Sequence, residues 1–173
     1  MHLRRTLALA SLLLAAGALP AAAQNTWQHF NGDLKAQKYS ALTQITPANV
    51  KNLRIAWRAR TGDVSTGPKP ATGWSATPLF VNDTIYLGTP SFRIVAFEPD
   101  TGKVKWSYDS KAVLEPSTQS SLKNRGVAYW QADKPVAGQP CQKRIYIGTV
   151  DAKLHAVDAD TGKPCTDFGD NGV

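Results

Sequence analysis

The chain says one stretch twice. Ile85 to Lys103 aligns without a gap on Ile145 to Lys163, with Ile85/Ile145, Tyr86/Tyr146, Gly88/Gly148, Thr89/Thr149 and Ala96/Ala156 identical. The block Asp100-Thr101-Gly102-Lys103 returns as Asp160-Thr161-Gly162-Lys163. A ladder of that length is the mark of a repeat architecture and has to be read before any single motif.

Each copy reads as strand, turn, strand, turn. Ile85-Tyr86-Leu87 and Arg93-Ile94-Val95-Ala96-Phe97 are short β-branched and aromatic runs between turn residues, the pattern of paired strands. Asp-Thr-Gly closes the second run because Asp bonds its own backbone and Gly accepts a left-handed φ. Val104 to Tyr108 then supplies a further strand carrying Trp106, and Leu79-Phe80-Val81, turned by Asn82-Asp83, supplies one before the first copy. A small antiparallel sheet cannot bury both faces alone, so the expected class is all-β: an incomplete β-propeller of about two blades. The period is longer than that of an ordinary propeller blade. Two loops, at 109–124 and 131–142, account for the excess, and long loops on a rigid repeat are where function concentrates.

The stretch from Met1 to Ala23 stands apart. Arg4 and Arg5 precede the apolar run Leu7 to Leu19, followed by Pro20 and Ala21-Ala22-Ala23, the layout of a secretory signal peptide cut after Ala23. The run falls short of the roughly 20 apolar residues that span a bilayer. The expected division is therefore a signal peptide at 1–23 and a propeller portion at 24–173, in a periplasmic protein. The leader carries two arginines and no acid, so its removal lowers the formal charge from +7 to +5. The remaining cations are scattered singly, with no basic run or helix to suggest a nucleic-acid partner.

Cys141 and Cys165 bracket the second copy, one before its first strand and one after its Asp-Thr-Gly turn. In an exported chain this arrangement predicts a disulfide. No second cysteine pair or histidine cluster accompanies them, which argues against a metal site. Elsewhere, residues 24–43 read as an ordered arm, Thr46-Pro47 as an N-cap opening one helical turn through Val50 and Leu53, and Leu53 to Arg60 as a strand holding Trp57. Residues 65–73 and 109–124 read as loops, and a strand resumes over Arg125 to Trp130. His155 reads as a packed or surface histidine, the five tryptophans as packing with Trp74 or Trp130 as candidates to line a pocket, and Asp33, Asp63 and Asp170 as acids without a partner that marks them for chemistry.

These motifs together resemble one family. Ala96-x-Glu98-x-x-Thr101-Gly102-x-x-x-Trp106 resembles the tryptophan-docking motif of the pyrroloquinoline-quinone (PQQ) dehydrogenases, with Glu98 where Asp is usual; the second copy has Asp158 but Thr166 in the tryptophan position. The run from Lys38-Tyr39-Ser40 to Asn52-Leu53 is similar to the family's opening segment. Asn124 to Trp130 and Thr161 to Gly169 are similar to segments of its membrane-type glucose, quinate and polyol branch. The resemblance implies an eight-bladed propeller holding PQQ and Ca²⁺ when complete. It further implies oxidation of a sugar, polyol or cyclic alcohol, with electrons passing to ubiquinone or a cytochrome and a membrane subunit as a candidate partner.

Carried over by position, Arg125 stands at the arginine that contacts the cofactor, and a guanidinium fork suits a tricarboxylated quinone. Ser75 occupies a cofactor-side place where the family has Glu, and Ser91 one where the glucose branch often has His. Gln119-Ser120 stands where the methanol branch has adjacent cysteines. No residue is assigned as catalytic or metal-binding. About two repeat units would leave a propeller open, so the expected reading is an amino-terminal fragment. The alternatives are a non-catalytic propeller scaffold of the same repeat and a degenerate truncated homologue.

Overall fold

The structure, a computed structural model, describes residues 26–65, 71–113 and 121–173. The expected leader with its cleavage point after Ala23, and Gln119-Ser120, lie outside them. Nine strands run through the described residues: β1 (Ala71–Trp74), β2 (Leu79–Val81), β3 (Thr84–Gly88), β4 (Arg93–Phe97), β5 (Val104–Asp109), β6 (Ser121–Asn124), β7 (Ala128–Gln131), β8 (Lys143–Gly148) and β9 (Leu154–Asp158). They form an antiparallel sheet β2-β3-β4-β5, a second antiparallel sheet β7-β8-β9, and a parallel pair β1-β6. The all-β class is as expected, and so is the small antiparallel sheet as its unit.

Local chemistry sets the hairpins. Asn82 and Asp83 both take left-handed φ, 49° and 52°, the two-residue turn whose twist matches the strands it joins. The repeat keeps its register: Ile85 faces Phe97, Tyr86 faces Ala96 and Leu87 faces Val95, while Ile145 faces Val157, Tyr146 faces Ala156 and Ile147 faces His155. Alternation along these strands then decides which side chains meet between the sheets. Leu79, Val81, Tyr86, Ile94 and Ala96 of the first sheet pack against Ile145, Ile147, Val157 and Ala159 of the second. Each large aliphatic side chain buried there stabilises by roughly 1.5–3 kcal/mol.

Tryptophans lock one unit to the next. The Trp106 indole N–H donates to Ala159 O at 3.0 Å, and its ring covers Gly162, where any Cβ would overlap it. Trp57 repeats this one unit earlier, donating to Pro99 O at 2.7 Å and covering Gly102. Both glycines also have left-handed φ, 69° at Gly102 and 72° at Gly162, so the turn and the close approach both require glycine. Tyr86 donates its hydroxyl to the same Ala159 carbonyl at 3.1 Å, and burial pushes its phenol pKa up to about 12.

Three expectations are corrected. Residues 53–60 form no strand, because no described strand lies beside them to pair with; Trp57 docks from an irregular segment. The helical turn is a 3₁₀ turn at Val50–Asn52, and Thr46 does not cap it: Asn49 Oδ1 accepts the Thr46 N–H at 2.7 Å instead. Residues of the expected loops 65–73 and 109–124 form most of β1 and all of β6, which pair with each other. Asp63 serves as an anchor: its buried carboxylate takes Arg93 Nη1 at 3.1 Å, and Arg93 also donates to Thr61 O and Ser107 Oγ, tying the 53–64 segment to the first sheet.

The second sheet departs from the first at its outer edge. In place of a fourth strand, Pro164 makes a single bridge to Val157, and the chain then curls through residues 165–173. Cys165 donates to Ala156 O, Ala156 to Gly172 O and Asp158 to Lys163 O, so the edge of β9 is covered by a coil. The expected Cys141–Cys165 disulfide is present with Cα atoms 5.7 Å apart, holding that coil against Tyr146 and Phe168. The arm lies on the body as read, with Trp27 bonded both ways to the backbone of Phe80.

Candidate functional site

Parallel pairing builds the corner that matters. Ala71 to Trp74 stands beside Ser121 to Asn124 with Trp74 opposite Asn124, so the next residues, Ser75 and Arg125, leave the pair side by side at the same end. Nothing in local sequence brings these positions together, since the whole first repeat copy lies between them.

The Arg125 loop is pinned on both sides. Thr77 N–H reaches Arg125 O at 3.4 Å, and Asn124 Oδ1 accepts the Gly126 N–H at 2.8 Å, closing a side-chain-to-backbone turn around Arg125. Asn124 is buried and lies over Gly88, the last residue of β3. Gly126 has φ 134°, and a Cβ there would crowd Thr77 O at 3.2 Å.

Arg125 and Ser75 are exposed and Ser91 is half-buried. None of the three side chains hydrogen-bonds another described residue. Ser91 lies on the β3–β4 turn that begins after Gly88, a turn held by Thr89, which donates its N–H to Arg93 O and accepts the Arg93 N–H on its hydroxyl at 3.2 Å. Arg125 and Ser75 are thus brought together, and the turn bearing Ser91 starts against the same loop. Sequence reading missed Asn124 and Gly88 as parts of this corner. The repeated glycine was the available signal, but its copy Gly148 has open space where a Cβ would go.

A cleft of about 680 Å³ lies elsewhere. Trp57, Val64, Trp74, Ile85, Leu87 and Phe97 line it with Arg60 at its rim. Ile85, Leu87 and Phe97 are the first-copy counterparts of Ile145, Ile147 and Val157, which the first sheet covers completely. The cleft is therefore the outer face of the first sheet, in the place equivalent to the core between the sheets, and not a chemical site.

The remaining titratable groups are structural. His155 is buried, its Nδ1 2.9 Å from Tyr108 Oη, while Nε2 has no partner among the described residues; burial lowers its pKa. Burial alone would raise the Asp158 carboxyl, but it accepts from Cys141 N–H and from the N–H and hydroxyl of Thr161, and these hold it below the ordinary carboxylate range. Arg144 stacks on Trp130 with 5.1 Å between guanidinium carbon and ring centroid and pairs with Asp167. Trp74 and Trp130, the two tryptophans expected as pocket candidates, are about half exposed, and Trp74 lines the cleft. Among the described residues one cluster has three metal-capable side chains, Cys141, Cys165 and Asp167, and both sulfurs are spent in the disulfide.

Comparison with known proteins places the chain in a family. Residues 27–173 match the family described as PQQ, glucose/ethanol/alcohol dehydrogenase, β-propeller domain. The chain is 38% identical to a quinate/shikimate dehydrogenase (quinone) of Acinetobacter baylyi, over 89% of this chain and 20% of that one. It is 36% identical to quinoprotein glucose dehydrogenase A of Acinetobacter calcoaceticus, over 91% and 21%. Among solved structures it is similar to the quinohemoprotein alcohol dehydrogenase of Comamonas testosteroni, with TM-score 0.63 and 29% identity over 83% of this chain and 19% of that one. The chain spans about a fifth of the length of the curated relatives it matches.

Proposed function

Because this chain belongs to the PQQ glucose/ethanol/alcohol dehydrogenase β-propeller family, we propose that it is the amino-terminal part of a periplasmic PQQ-dependent dehydrogenase. The substrate is a sugar, polyol or cyclic alcohol, and a respiratory acceptor, ubiquinone or a cytochrome, takes the electrons. The observation that carries the reading is the Ser75–Arg125 corner, where the β1-β6 pair releases two exposed residues at the same end.

The residues there fit one edge of PQQ. A guanidinium carried on a held backbone can pair in a fork with a carboxylate or with adjacent quinone and carboxylate oxygens, and the Ser75 hydroxyl can donate from the same corner. They do not fit Ca²⁺, which takes six to eight oxygen ligands, since among the described residues no cluster of three metal-capable groups lies at the corner and Asn124 Oδ1 is already engaged. When bound, PQQ supplies the oxidant, taking up two electrons and two protons as the alcohol becomes a carbonyl compound. Arg125 binds and orients that group; Asn124, Gly88 and Thr77 hold the arginine. One charge-assisted contact contributes about 1.5–3 kcal/mol, against roughly 8 kcal/mol for micromolar affinity. The chain alone is therefore expected to bind PQQ weakly and to show no turnover.

The test is to join residues 27–173 in place of the matching fifth of the Acinetobacter baylyi relative and measure PQQ- and Ca²⁺-dependent dye reduction with quinate, glucose, glycerol and sorbitol. Turnover by the folded chimera, and none by the chain alone, is expected. A folded chimera that takes up no PQQ would favour the second reading, a scaffold built on the same repeat, for which Ser75 in place of a carboxylate speaks. Export is checked separately: the periplasmic product should begin at Gln24.

A further inference from the structure

We infer that Asn124 is the positioning residue for Arg125, and that Gly88 is glycine in order to seat it; the inference deepens the PQQ reading and rests on it for the ligand. Asn124 is 7% exposed, ends β6 opposite Trp74, and spends its Oδ1 on the Gly126 N–H at 2.8 Å. That bond spans Arg125 and fixes the backbone on which the guanidinium is carried. Beneath it Gly88 has no side chain, and a Cβ there would overlap Asn124 Oδ1 and approach Val127 Cγ1 at 3.2 Å.

Gly88 and Gly148 occupy the same register, opposite Ile94 and Leu154, at the end of equivalent strands. Neither needs glycine for its own backbone, since neither has a left-handed φ. An added Cβ at Gly148 meets no described residue within 4 Å. At Gly88 the demand comes from Asn124, which belongs to the long connection between the repeat copies. A side chain at Gly88 would push the amide off Gly126 and release the Arg125 loop. Arg125 then samples several directions, and ordering it on each binding event weakens recognition of a rigid, planar polycarboxylate.

The experiment is amide hydrogen exchange at Gly126 by NMR on the full chain, read with the Arg125 side-chain Nε–H signal during titration with millimolar PQQ. Expected are Gly126 exchange about fivefold to tenfold faster in Asn124→Ala and in Gly88→Ala, and wild-type exchange in Asn124→Asp, which keeps the acceptor, and in Gly148→Ala. The PQQ-induced shift of the Arg125 signal should shrink in Asn124→Ala and return in Asn124→Asp. Core amides of β4 and β8 report whether each variant is folded. Unchanged Gly126 exchange in both Asn124→Ala and Gly88→Ala would overturn the inference whatever PQQ does. An Arg125 signal that ignores PQQ in the wild type, with Gly126 protection still lost in Asn124→Ala, would sustain the positioning role and remove the PQQ contact on which the proposed function rests.

Discussion

The two repeat sheets share a register and differ in what surrounds it. The first sheet has four strands and ends in Trp106, which reaches forward to the second; the second has three, carries Thr166 in that place, and ends in a disulfide-held coil. Glu98 makes one bond to the Thr101 hydroxyl at the surface, whereas Asp158 is buried and accepts from Thr161 and Cys141. Val95 packs in the first sheet; His155 takes its place in the second and meets Tyr108 from the first. Residues that repeat build the sheets, and residues that fail to repeat serve the edges and the connections. The candidate site follows that rule, since Ser75, Asn124 and Arg125 all lie outside the repeated stretch.

Removing the interlock should break the comparison hardest. Trp106→Ala is expected to cost about 3–5 kcal/mol in urea unfolding, because the indole lies between the sheets and its N–H bond is lost with it. Trp57→Ala should cost less, roughly 1–2 kcal/mol, since it covers a cleft and not a closed core. Equal losses would mean that the two docking tryptophans do the same job. Next in size is the second sheet's covalent tie: replacing Cys141 and Cys165 together by Ala should cost about 3 kcal/mol, with nothing comparable to remove from the first sheet.

The acids sharpen the contrast. Asp158→Asn should cost about 1–3 kcal/mol and Glu98→Gln well under about 1 kcal/mol. The Asp158 carboxyl is held below its unfolded value, so its contribution is complete above about pH 4 and is lost as pH falls further, through the folded value. His155 gives the smallest effect and the mildest pH. Its folded pKa is depressed, so below about pH 6.5 the unfolded chain binds a proton the folded chain refuses, and stability drops as pH falls through that window. Asp151 and Lys153, the charged groups facing it, oppose each other in this. His155→Val, which copies the first sheet, should stay within about 1 kcal/mol of the parent at about pH 7.5 and remove that slope; a slope that persists would assign it to other groups.

How much was legible follows from distance along the chain. Hairpins, Asp-Thr-Gly turns and the inter-sheet tryptophan at 106 are set within a few residues of their signals, and a repeat prints those signals twice. The disulfide could be read because its cysteines flank one copy. The β1-β6 pair was not legible: Ser65 to Gly73 is rich in Gly, Pro and Thr, residues 109–124 are polar, and a parallel pair between them is made by tertiary context and not by alternation. Trp57 misled in the other direction, since its neighbours alternate like a strand but have no edge to join. Asp63 read as idle because its partner, Arg93, is distant in sequence. Arg125 was placed by family resemblance alone; what holds it, Asn124 on Gly88, depends on a contact between an insertion and a repeat that neither sequence pattern contains.

The central claim is that the Arg125 corner is the part of this chain that meets PQQ. The direct measurement is the PQQ dissociation constant of the folded chimera for Arg125→Ala beside Arg144→Ala, an arginine of the second sheet already stacked on Trp130 and paired with Asp167. Loss of one charge-assisted contact predicts affinity weakened about tenfold to a hundredfold in Arg125→Ala and unchanged in Arg144→Ala. Unchanged affinity in Arg125→Ala, or equal losses in the two, would contradict the claim.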